Sequence, residues 1–110
     1  MANVFKNSIT GSIGTAGTIV YQVPALTTST IIGVNVANTN AQNISVNVMV
    51  RDTSANKVAY LVKDALVTQG GSAVLVGGDQ KLVLEAGDFL SVTSSLATSA
   101  DVIVSILELT

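Results

Sequence analysis

The sequence predicts an all-β protein: an antiparallel β-sandwich of about eight strands, with jelly-roll or immunoglobulin-like topology. Three observations predict it. Apolar and polar residues alternate at period two, most cleanly where Ile44, Val46, Val48 and Val50 oppose Ser45, Asn47, Met49 and Arg51. Turn clusters of Gly, Asn and Ser recur about every 10 to 12 residues, the spacing of a sandwich or barrel. No segment carries a 3.6-residue apolar stripe with helix-capping signals. With 110 residues, 48% of them hydrophobic, one core is expected. Residues 1–16 are expected to form an N-terminal arm or first strand, and 17–110 a single sandwich domain.

The elements follow in order. Val4-Phe5 and Ser8-Ile9 suit one strand, and Gly11, Gly14 and Gly17 punctuate the chain after it. Thr18–Val23 alternates, and Pro24 ends it because proline has no amide to donate to a ladder. Thr30–Ala37 is expected to place Ile32, Val34 and Val36 on one face. Asn38–Asn43 is a turn cluster, followed by the clean strand from Ile44. Asp52–Asn56 is the hairpin turn into Lys57–Lys63, where Val58, Tyr60 and Val62 oppose Ala59 and Leu61. Asp64–Ser72 reads as a link, and Ala73–Val76 as a short strand closed by Gly77-Gly78. Lys81–Val92 reads as strand, tight turn, strand, with Gly87 at a positive-φ position and Asp88 bonding nearby amides. After a polar loop at Ser94–Ala100, Asp101–Leu109 is apolar on both faces and is expected to be central or covered.

Composition bounds the function. Charged residues make up 11% of the chain, against roughly 25% in an ordinary soluble domain. Ser, Thr, Asn, Gln and Gly must cover the outside, giving a neutral surface suited to packing against other proteins. Net charge is −2, and Lys6, Arg51, Lys57, Lys63 and Lys81 are scattered, so there is no footprint for nucleic acid. The N-terminal residues lack an apolar signal core, and Ile31–Ala37 is far too short to span a membrane.

Histidine and cysteine are both absent, which removes Ser-His-Asp and Cys-His catalysis, disulfides, and His or Cys metal sites. Asp79, Glu85 and Asp88 are the carboxylates available for a glycosidase-like pair, but their strand and turn positions suit ordinary structural roles. Gly11, Gly14 and Gly17 have phosphate-loop glycines without the Lys-Ser/Thr or helix that such a loop needs. Asp79, Asp88 and Asp101, in or beside turns, are the candidates for calcium, at no recognised calcium-loop spacing. No catalytic, cofactor or metal site is therefore assigned, and the chain is expected not to be an enzyme. Sugar-binding sandwiches stack their ligands on exposed rings. Here the aromatics are Phe5, Tyr21, Tyr60 and Phe89, with core roles expected for Tyr60 and Phe89.

The segments Tyr60–Lys63, Gly70–Ser72, Lys81–Val92 and Asp101–Glu108 together resemble small structural proteins of tailed-bacteriophage particles, of the cyanophage kind. Ile32–Asn38 followed by Ile44–Val48 looks like that family's first hairpin, so about 80 of the 110 residues take part. The resemblance implies a non-enzymatic, many-copy β-sandwich of the virion, assembled in the host cytoplasm. A capsid decoration (cement) protein is the first role implied, and a neck, collar or tail component the second. The implied partners are the major capsid protein or other virion proteins and copies of the same chain, with no nucleic acid and no membrane. A carbohydrate-binding or adhesion module is the rival from another class.

Overall fold

The computed structural model describes residues 3–77 and 80–110, and no helix occurs among them. Nine strands form: β1 (Asn3–Ile13), β2 (Thr18–Gln22), β3 (Thr28–Asn38), β4 (Ile44–Asp52), β5 (Lys57–Val67), β6 (Ser72–Val76), β7 (Leu82–Leu84), β8 (Phe89–Ser94) and β9 (Ala100–Leu109). They build two antiparallel sheets. The first runs β1-β9-β3-β6, with β7 also paired to β3, and the second runs β2-β8-β4-β5. Val34–Ala37 of β3 pair with β6, and Ser29–Ile31 with β7. β6 and β7 are thus two halves of one interrupted strand along the same edge.

Counted that way there are eight strands, ordered 1-8-3-6 and 2-7-4-5. This is a jelly roll; an immunoglobulin fold would put its first and second strands side by side in one sheet. Successive strands cross between sheets everywhere except at β4–β5 and at the β6–β7 interruption.

Branched aliphatic side chains fill the space between the sheets. Ile31, Val34 and Val36 of β3 and Val102, Val104 and Ile106 of β9 meet Val46 and Val48 of β4 and Leu90 and Val92 of β8, all at or near complete burial. All of these but Leu90 are β-branched and suit a half-buried pleated surface, which is why the period-two stretches became strands. β9 lies between β1 and β3, the central position its two apolar faces require.

Four expectations are corrected. Lys81–Val92 is not a hairpin: β7 belongs to the first sheet and β8 to the second, so Ala86–Asp88 forms an arch over the end of the core. Leu84 and Leu90, both buried, face the core from opposite sheets. Ile32–Asn38 and Ile44–Val48 likewise lie in different sheets and make no hairpin. On β3 a register shift between Ile31 and Gly33 buries Ile31 completely and leaves Ile32 only half-buried. Finally, β5 does not stop at Lys63. Val46 pairs with Ala65 and Val48 with Val62, so the bulge absorbs Asp64 at φ 55 and the strand continues to Val67.

Residues 3–13, in the segment read as an arm or first strand, pair along β9 as an edge of the first sheet. Gly78 lies outside the described residues.

Candidate functional site

Asp52, Glu85 and Asp88 converge where the β4–β5 turn meets the β7–β8 arch, with carboxylate oxygens all within 4.8 Å of one another. Their bonding explains the convergence. Asp88 is buried and accepts Thr53 N–H (3.0 Å) on Oδ1 and Glu85 N–H (2.9 Å) on Oδ2. Thr53 Oγ1 donates to Gly87 O at 2.8 Å, and Gly87, at φ 87, donates its amide to Val23 O at 3.1 Å. Val23 N–H in turn donates to Asp88 O at 2.9 Å. The Asp88 carboxylate therefore ties the arch to the hairpin turn, and the backbone of Gly87 and Asp88 ties it to Val23 after the end of β2.

Asp52 Oδ1 accepts Ala55 N–H (3.0 Å) and the Ser54 hydroxyl (2.9 Å). The Ala55 amide first, and Ser54 second, hold the Asp52 carboxyl below the usual carboxylate range. Glu85 is exposed. These three are the carboxylates a cation would use, and Asp52 is the member that sequence reasoning missed.

The calcium candidates do not assemble. Asp79 lies outside the described residues. Asp101 pairs opposite Ala37 of β3, whereas Leu84, just before the arch, pairs opposite Ser29. Eight residues of strand (37 − 29) put Asp101 about 26 Å along the sandwich from the arch, at about 3.3 Å per residue. There its Oδ1 accepts Ser12 N–H at 3.1 Å.

The aromatics divide differently from expectation. Tyr60 is 52% exposed and Phe5 74%, while Phe89 is half-buried on the outer side of β8. Tyr60 is turned outward by the bulges in β5: Val62 pairs with inward Val48, but Tyr60, of the same parity, pairs with outward Met49. With Gly17, Asn47, Met49, Ser91 and Thr93 it lines a depression of about 130 Å³. Lys63 Nζ sits 4.7 Å from the Tyr60 ring centroid, a cation–π contact. Asn47 donates from Nδ2 to Thr93 Oγ1 (3.1 Å) and accepts Asp64 N–H (2.7 Å) on Oδ1. With the amide satisfied internally and a cation against the ring, the depression offers a ligand mainly Met49 and Tyr60.

Tyr21 is buried. Its hydroxyl donates to Glu108 Oε2 at 2.6 Å and lies 2.6 Å from Ser29 Oγ, while Lys6 Nζ is 3.5 Å from the same Glu108 oxygen. Burial first, and the Glu108 contact second, push the Tyr21 hydroxyl up to about 12. This network joins β2 of one sheet to β1, β3 and β9 of the other. At the opposite end Asn38 does similar work, donating to Gln42 O (2.8 Å) and Val67 O (3.0 Å). Among the described residues, every buried side-chain polar atom has a partner.

The geometry defines a jelly-roll domain in which Asp52, Asp88 and Asp101 bond the chain's own backbone and whose outer faces carry exposed apolar side chains. Comparison with protein-family models, curated proteins and solved structures gives no match.

Proposed function

We propose that this chain is a structural protein of a tailed-bacteriophage particle, working as a capsid decoration protein that braces the head by protein–protein packing. The observation that carries the reading is the surface. Phe5, Ile9, Ile19, Leu66, Val74 and Val83 are all half or more exposed on strands, in a chain with very few charges to keep such faces apart. The carboxylates of Asp52, Asp88, Asp101 and Glu108 and the Tyr21 hydroxyl are engaged in holding the fold, which supports a non-enzymatic role. The jelly-roll architecture hosts both viral coat and lectin domains and so does not choose between them. The phage assignment rests on the resemblance of Lys81–Val92 and its companion segments.

The mechanism is physical. Neutral faces are cheap to desolvate, and contacts of a standard interface size, about 1,600 Å², brace neighbouring shell subunits against internal pressure. The test is imaging of purified particles to locate the chain, together with particles that lack it. Loss of resistance to heat and osmotic shock in the lacking particles is expected. Equally robust particles would overturn the cementing role, and density confined to the neck or tail would support that second placement. The exposed Tyr60 beside its depression favours a carbohydrate-binding reading as the rival. Glycan-array binding that disappears in Tyr60→Ala would establish that rival.

A further inference from the structure

We infer that the outer face of the first sheet is a self-pairing surface, on which two copies of this chain pack sheet against sheet. Two cross-strand rows run over this face. Phe5, Leu107, Thr30 and Val83 align in one, and Ile9, Ile103, Asn35 and Val74 in the other. Phe5 (74%), Ile9 (68%), Val74 (71%) and Val83 (63%) stand in solvent, so each row has greasy ends. Between the rows, Asn7 pairs with Ser105, both small and neutral.

Charge selects a second copy as the occupant. Neither row holds a charged side chain. The charged residue of this outer face on β9, Asp101, lies beyond the Ile9–Val74 row at one end of the sheet, where its Oδ1 accepts Ser12 N–H. Two identical faces can therefore meet over both rows without opposing like charges. The second sheet's outer face instead carries two cations, Arg51 and Lys63, that self-pairing would bring into one interface. Area agrees. Four strands at about 4.8 Å span about 19 Å, and strands of 11 residues about 36 Å, giving about 700 Å². Standard-size interfaces bury about 600–1,000 Å² per partner. Edge-to-edge pairing through β1 is disfavoured. Lys6 points to the inner side of that edge, toward Glu108, and a register shift between Thr10 and Ile13 breaks the ladder.

This deepens the assembly reading and rests on it only for the presence of several copies. The test is sedimentation equilibrium of the full chain with its variants. The wild-type chain is expected to be a dimer at micromolar concentration. Ile9→Lys with Ile103→Lys, cross-strand neighbours, is expected to raise the dissociation constant at least about a hundredfold, because two buried charges then oppose their copies. Circular dichroism should show both proteins equally folded. Should the double variant not fold, Phe5→Glu, at the most exposed position of the face, is expected to give the same loss. Tyr60→Lys with Leu66→Lys, on the other sheet, should leave the dimer intact. A wild-type chain monomeric at every concentration, or a dimer lost only in the second-sheet variant, would overturn the inference. So would particle images showing this face against the shell protein. A dimeric chain absent from particles would sink the virion reading and leave this one standing; a monomeric chain found on particles would do the reverse.

Discussion

Replacing Asp88 with alanine should remove the clamp that closes one end of the sandwich. Its two oxygens accept two backbone amides, from Thr53 at 3.0 Å and Glu85 at 2.9 Å, in a site that is 3% exposed. A hydrogen bond to a charged group contributes about 1.5–3 kcal/mol. Two of them, reduced for water that can reach the exposed turn once the side chain is cut back, give a loss of about 4 kcal/mol. That is a large share of the roughly 5–15 kcal/mol that holds a domain of this size. Asp88→Asn retains one acceptor and turns its amide NH2, a donor, toward the other N–H, so it should lose about half or more of the same amount. Urea unfolding followed by circular dichroism reads the difference as a lower midpoint at constant slope. A loss below about 1 kcal/mol in Asp88→Ala would refute the clamp. A loss in Asp88→Asn as small as that of an ordinary surface substitution, within about 0.5 kcal/mol, would do so too.

Two further outcomes follow from the packing and the buried network. Ile31→Ala should destabilise by about 2–5 kcal/mol, and Ile32→Ala, half-buried outside the core, by less than half as much; equal losses in denaturant titrations would contradict the bulge between them. Because the Tyr21 hydroxyl titrates near 12 in the fold and at its ordinary 10.0 when unfolded, the folded chain binds more protons between those values. Stability must then fall as pH rises from about 10 to 12, by on the order of 2 kcal/mol. Tyr21→Phe should be less stable at neutral pH by about 1–3 kcal/mol, with Glu108 left short of a donor, and should lack that particular alkaline decline; identical alkaline unfolding of the two proteins would refute it.

The strands were legible because their alternation is a local property. Ile44, Val46 and Val48 announce a face, and the structure buries it. What period two does not encode is a strand's partner. Ala86-Gly87-Asp88 has the same turn chemistry whether it closes a hairpin or an arch, and only the pairing of Leu82–Leu84 with β3 distinguishes them. Bulges hid the rest, since one extra residue reverses every side chain beyond it. That is how Ile31 displaced Ile32 and how Tyr60 came to face outward. Gly33 inside an apolar run was a usable signal for the first of these. Asp64, in the left-handed region, gave no comparable signal for the second. The joining of Thr53 to Asp88 and of Tyr21 to Glu108 was invisible because each pair is far apart in sequence and meets only through the crossing of strands between sheets.

The place of β9 has a consequence for how the protein is made. β1 and β3 have no contact in the first sheet except through β9, which is synthesised after the other eight strands. About a hundred residues separate the start of β1 from the strand that pairs with it. At translation rates of 5–20 residues per second, β1 waits roughly 5–20 s with its Val, Phe and Ile residues unprotected. Until β9 (Ala100–Leu109) is made, the first sheet therefore cannot close, and its completion waits on the strand that is translated after all the others.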